Sequence, residues 1–143
     1  MPVNDLTDDP THDLADVLTI VTIKTPQEIV TKQQLPYFVG ISKETAGAKN
    51  ISMNLVVIPP GASAQAHYHK DFETGIYVLE GEVETRFGEG LQQSVINGPG
   101  DFIFIPPNLL HQPTNLSIDK PAKAIVVRND PNEQENVVPY TVK

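Results

Sequence analysis

Prolines and glycines cut this chain into short apolar runs, and neither residue sits well inside a long helix. Thirteen prolines and nine glycines fall among its 143 residues. Between them lie runs rich in β-branched residues, the composition of a half-buried strand. Residues 17–25 (VLTIVTIKT) read as a strand. Thr25-Pro26 then offers a helix start, with Thr25 as N-cap, Pro26 in the first turn and Glu28 three residues on. Further strands are expected at 37–42, 51–58, 75–79, 82–87, 94–96, 101–105, 111–116 and 122–128, with a turn or loop over 44–50 around Gly47 and strands meeting at Gly81. Val138, Tyr140 and Val142 alternate like an edge strand. Strand after strand with short turns and almost no helix predicts an all-β sandwich or barrel. Residues 1–16, polar and acidic, are expected to form an arm that carries His12, and residues 17–143 one domain.

Charge and composition narrow the function. A net charge of −8 argues against nucleic acid, which needs a cationic footprint. No apolar run is long enough to cross a bilayer. The first residues lack the basic and apolar regions of a secretory signal, so the cytoplasm is the expected compartment. With no cysteine, any metal must be held by imidazole, carboxylate or water. No Gly-x-Ser-x-Gly, phosphate loop or nucleotide-binding glycine pattern is present.

Of the four histidines, His67 and His69 stand two apart, and residues two apart on a strand share a face. Two imidazoles with a carboxylate nearby, such as Glu73, can offer three ligands to a divalent ion. Gln65 shares their phase and can line the same pocket. Tyr68 points the other way. Phe102 and Phe104 share a face and read as core or pocket wall, as do Val83, Thr85 and Phe87, with Glu82, Glu84 and Arg86 opposite. The polar stretch 128–136 is a turn-rich loop that can cap a barrel mouth.

Two longer patterns enclose these residues. From Gly61 to Gly81 the chain reads glycine, five residues, His67-x-His69, then Glu73, then Gly81. From Gly100 it reads five residues, Pro106-Pro107-Asn108, two residues, His111, three residues, Asn115. Together they resemble the two signature motifs of the cupin superfamily, across roughly residues 51–128. One position departs: Asn108 stands where glycine is usual. Asparagine tolerates the left-handed turn that glycine would make.

The resemblance implies a double-stranded β-helix, or small jelly-roll barrel, that holds one divalent metal (Mn, Fe, Co, Ni, Cu or Zn) through His67, His69, Glu73 and His111. Asn115 would be structural. Spacing leaves the fourth ligand open. Eleven residues separate His69 from Gly81, one more than the family spacing that selects Glu73, while the alternative spacing puts Thr74 in that slot. Either a β-bulge near Gly75 absorbs the extra residue or the carboxylate has slipped off the metal face. With Thr74 inward the site is three histidines and water, more positive by one unit and better suited to an anion.

A cupin of this length is expected to act as a metal-dependent enzyme on a small polar molecule, a dioxygenase, isomerase or hydrolase, with no separate general base evident. The alternatives are a non-enzymatic binding module for a sugar or small acid, or a storage protein. Uncovered strand edges at the two ends of the chain predict a homodimer.

Overall fold

The computed structural model describes residues 18–132 and 136–140. The expected N-terminal arm, His12 and the last alternating position, Val142, lie outside them. Among the described residues, eleven strands form two antiparallel sheets. In chain order they are β1 (Gln27–Val30), β2 (Pro36–Ile41), β3 (Ser52–Ile58), β4 (His67–His69), β5 (Thr74–Glu80), β6 (Val83–Phe87), β7 (Gln93–Asn97), β8 (Phe102–Ile105), β9 (His111–Asn115), β10 (Ala122–Arg128) and β11 (Val137–Pro139). One sheet runs β1-β2-β3-β10-β5-β8, the other β11-β4-β9-β6-β7. This is the jelly-roll, double-stranded β-helix architecture. Among the described residues no helix is long and apolar enough to cross a membrane.

The core between the sheets follows from strand alternation. Along β3, Ser52, Asn54, Val56 and Ile58 are buried and the residues between them are not. The ladder sets Ala122 opposite Ile58 and Arg128 opposite Ser52. The interior therefore grades along the strands. Leu35, Tyr37, Val56, Ile58, Ala64, Val83, Ala122 and Val126 make one apolar cluster, and each side chain of valine size or larger there contributes about 1.5–3 kcal/mol by burial. Ser52, Thr74 and Arg128 make the other end polar.

Two expectations fail, each for a tertiary reason. Residues 18–26 form no strand. Leu18 and Ile20 lie exposed, and β propensity without a pairing partner does not make a strand. Pro26 opens no helix either, because Gln27 to Val30 pair with β2. The loop around Gly47 contains one helical turn, α1 (Lys43–Ala46). Ser42 caps it reciprocally with Thr45, and Gly47 ends it in the left-handed region at φ 72°.

Candidate metal centre

Strand β4 is three residues long, and its alternation buries His67 and His69 while leaving Tyr68 half-buried on the other side. β4 lies between β11 and β9, with His67 opposite both Pro139 and His111. The turn at Pro106-Pro107-Asn108 delivers His111 to the start of β9. Asn108 adopts φ 67°, the left-handed conformation expected of it, and its N–H donates to the His69 carbonyl at 3.0 Å.

The three imidazoles converge. Ring centroids are 4.3 Å apart for His67 and His111, 5.0 Å for His67 and His69, and 5.5 Å for His69 and His111. One nitrogen from each lies within 4.8 Å of the others, close enough to hold one ion. Two rings are oriented from behind. His67 Nδ1 lies 2.7 Å from the Gln65 carbonyl, and His111 Nδ1 lies 2.8 Å from the Leu109 carbonyl. A carbonyl only accepts, so Nδ1 carries the proton and Nε2 keeps its lone pair, the arrangement that prepares histidine as a ligand. His69 Nε2 is buried with no hydrogen-bond partner, an orphan that a metal would satisfy.

Electrostatics keep these rings neutral. Burial, then the neighbouring His111, pushes His67 down to about 3. Burial pushes His111 down to about 4, with Arg128 adding to it and the Leu109 carbonyl opposing it. His69 is driven well below the ordinary histidine range by burial, then by Arg128 and the other two rings. A neutral imidazole is the form that binds metal.

The structure does not bring Glu73 to this group. Glu73 is exposed, and its N–H donates to Asn129 Oδ1 at 2.8 Å just before β5 begins. Thr74 takes the inward position, 1% exposed, with Ile76 and Val78 in phase behind it. Gly75 pairs regularly with Val127 and Phe104, so no bulge forms there. The register slips further on, where Lys123 and Ala124 face Glu80 and Val78 and skip Leu79. The extra residue is thus absorbed too late to turn Glu73 inward. Among the described residues no carboxylate joins the three histidines.

The other expected pocket residues divide. Thr74 lines a cavity of about 50 Å³ with Gln33, Tyr37, His67, His111 and Arg128. Phe104 lines an apolar cavity of about 310 Å³ with Phe87, Val95, Leu109 and His111. Phe102 is 83% exposed and packs on Tyr77 outside the barrel, centroids 4.7 Å apart, so it is not pocket wall. Gln65 contributes through its backbone: its carbonyl orients His67 and its N–H donates to the Gln33 carbonyl. Asn115 is structural, its Nδ2 donating to the carbonyls of Ile58 and Lys120. A larger cavity, about 630 Å³ around Gly81 and Lys120, holds none of the histidines.

Arg128 is the site residue that sequence reasoning missed. It is buried, 5% exposed, with Nε donating to Thr74 Oγ1 at 3.2 Å and Nη2 donating to the Tyr37 hydroxyl at 3.1 Å. A signal existed: Arg128 shares the phase of Ala122, Ala124 and Val126, so strand alternation alone points it inward.

Comparison with known proteins agrees with this architecture. The family model described as "Cupin domain" matches residues 54–128. A germin-like protein, subfamily T member 3, from Arabidopsis thaliana is 38% identical over 95 residues, 64% of this chain. That match spans 41% of the plant protein's length. The solved structure of the polyketide cyclase RemF from Streptomyces resistomycificus superposes with a TM-score of 0.70 at 21% identity, covering 89% of this chain and 88% of that one. The oxalate decarboxylase of Lactobacillus farciminis superposes at 0.67 with 20% identity, over 80% of this chain and 33% of that one. At such identities the superpositions speak for the fold.

Proposed function

This chain belongs to the cupin family, and from that premise we propose that it holds one divalent transition-metal ion on His67, His69 and His111 and acts there on a small polar molecule. The observation that carries this reading is the convergence of three neutral, buried imidazoles with their donor atoms within 4.8 Å of one another. Three protein ligands leave positions on an octahedral ion for water and substrate, and Mn, Fe, Co, Ni, Cu and Zn all accept imidazole. Such an ion supplies Lewis-acid or redox chemistry. The chain's own groups orient the ligands and line the approach. That two structural relatives are a cyclase and a decarboxylase supports an enzyme.

A second reading, a non-enzymatic small-molecule binder, is favoured by one observation. Among the described residues no carboxylate stands with the histidines to serve as a general base. Elemental analysis of protein purified without an affinity tag tests the metal. About one transition-metal ion per chain, lost in His69→Ala, is expected. A wild type that stays metal-free, with a melting temperature indifferent to added Mn, Fe, Ni or Zn, overturns it. Turnover of small acids by the loaded protein then separates enzyme from binder. The chain is also proposed to pair with a second copy, supported by exposed Phe102 on edge strand β8 and Ile96 on edge strand β7. Light scattering should then give twice the chain mass.

A further inference from the structure

Arg128 brings a full positive charge into the barrel, and nothing described there balances it. Its recorded partners, Thr74 Oγ1 and the Tyr37 hydroxyl, are neutral, and its guanidinium lies 5.9 Å from the centre of the Tyr37 ring. Nη1 is buried with no hydrogen-bond partner. The imidazoles are neutral, and Glu73, the carboxylate that would offset a bound cation, faces solvent. A buried charge without a counter-ion is costly to the fold, so its retention calls for a compensating partner. A divalent ion on the histidines would deepen the shortage of negative charge.

We infer that the site takes a small carboxylic acid with an apolar body, its carboxylate received by Arg128 Nη1 in the chamber beside the histidines and its body lying in the apolar cavity under Phe104. This rests on the metal-site reading above and names the ligand class for it. The chamber, about 50 Å³, has room for on the order of a few waters, enough for a carboxylate group. Planar guanidinium and carboxylate also match in geometry. Thr85, Ile105 and His111 line both this chamber and the 310 Å³ apolar cavity, so one molecule can span the two. Phe87, Phe104 and Leu109 there offer contact to carbon and little to a sugar.

Calorimetry on the full chain, metal-loaded and metal-free, tests this with three probes: phenylacetate, its neutral isostere phenylacetamide, and inorganic phosphate. Phenylacetate should bind, and the other two should bind about 30-fold more weakly or not at all. Arg128→Met should lose about 30-fold in phenylacetate affinity with metal content unchanged. Phenylacetamide binding as tightly as phenylacetate, phosphate binding more tightly, or Arg128→Met binding phenylacetate like the wild type overturns the inference. The two readings separate cleanly. A chain that takes no metal but binds phenylacetate through Arg128 loses the metal site and keeps this one. A chain that loads metal and ignores all three probes does the reverse.

Discussion

Asn108 and Asp71 bind each other reciprocally: Asn108 Nδ2 donates to Asp71 Oδ1 at 3.2 Å, and the Asp71 N–H donates to Asn108 Oδ1 at 3.0 Å. Both residues are left-handed, at φ 67° and 66°. One follows β4 and the other precedes β9, so this pair ties the loop beyond His69 to the turn that delivers His111. A glycine at 108 would make the turn, and keep its backbone bond to the His69 carbonyl, without the side-chain link to Asp71. Asparagine does both.

Substitution separates the two roles. Asn108→Gly should keep the turn and lose the two exposed bonds, a cost of about 1 kcal/mol or less. Asn108→Ala loses the bonds and also strains the backbone by about 1–2 kcal/mol more. The expected order of urea midpoints is wild type, then glycine, then alanine. A variant Asn108→Ala that matches Asn108→Gly would show that the left-handed turn is not under strain.

The metal should be indifferent to Glu73. Glu73→Ala is expected to retain wild-type metal content, because its side chain faces solvent. His111→Ala should lose at least tenfold in affinity, roughly the weakest effect seen for disturbing even an outer partner of a metal ligand. Elemental analysis after dialysis against a weak chelator reads both. Loss of metal in Glu73→Ala would put the carboxylate back on the ion and refute the three-histidine site.

Much of this arrangement was legible from local pattern. The strand expected at 122–128 is there, and the three histidines meet as the cupin resemblance implies. What could not be read depends on distant partners. Whether Glu73 or Thr74 faces inward is a parity decision, settled by pairing Thr74 with Arg128 and Ile105 and by the Asn129 bond to the Glu73 N–H. Alternation gives Arg128 its inward phase, but not the partners that hold a cation there. Its burial is set by Thr74 and Tyr37, 54 and 91 positions away in the chain. Residues 18–26 show the same limit from the other side, a β-rich run that pairs with no strand among the described residues.

Two glycines on β5 and its turn should respond oppositely to alanine. At Gly81, φ is 87° and an added Cβ would meet the Cα and Cβ of Ala122 at 2.9 Å each. Ala122 is 1% exposed and has no room to retreat. Backbone strain and overpacking together should cost about 2–4 kcal/mol. At Gly75 an added Cβ meets nothing within 4 Å, and the strand is regular there. Gly75→Ala should stay within about 1 kcal/mol of wild type, with relief of glycine's chain entropy in its favour. Equal losses at the two sites in urea denaturation would contradict the packing described around Ala122.

Acid should destabilise the metal-free protein well above the range where carboxylates titrate. In the unfolded chain each histidine takes a proton near 6.5. In the folded chain His111 resists to about 4 and His67 to about 3, with His69 lower still. Between those limits the unfolded state binds more protons, so stability falls as pH falls. The contribution is whole above pH 6.5 and is lost progressively on the way down to 4 and below. Each histidine held neutral adds a slope of up to about 1.4 kcal/mol per pH unit. Urea midpoints of chelator-treated protein should therefore be flat from pH 8 to 7 and drop steeply from 6 to 5. His111→Asn should show a shallower drop, having one such group fewer. A midpoint that holds constant from pH 7 to 5 would mean that the imidazoles charge freely in the folded state, and the neutral, ligand-ready cluster would have to be abandoned.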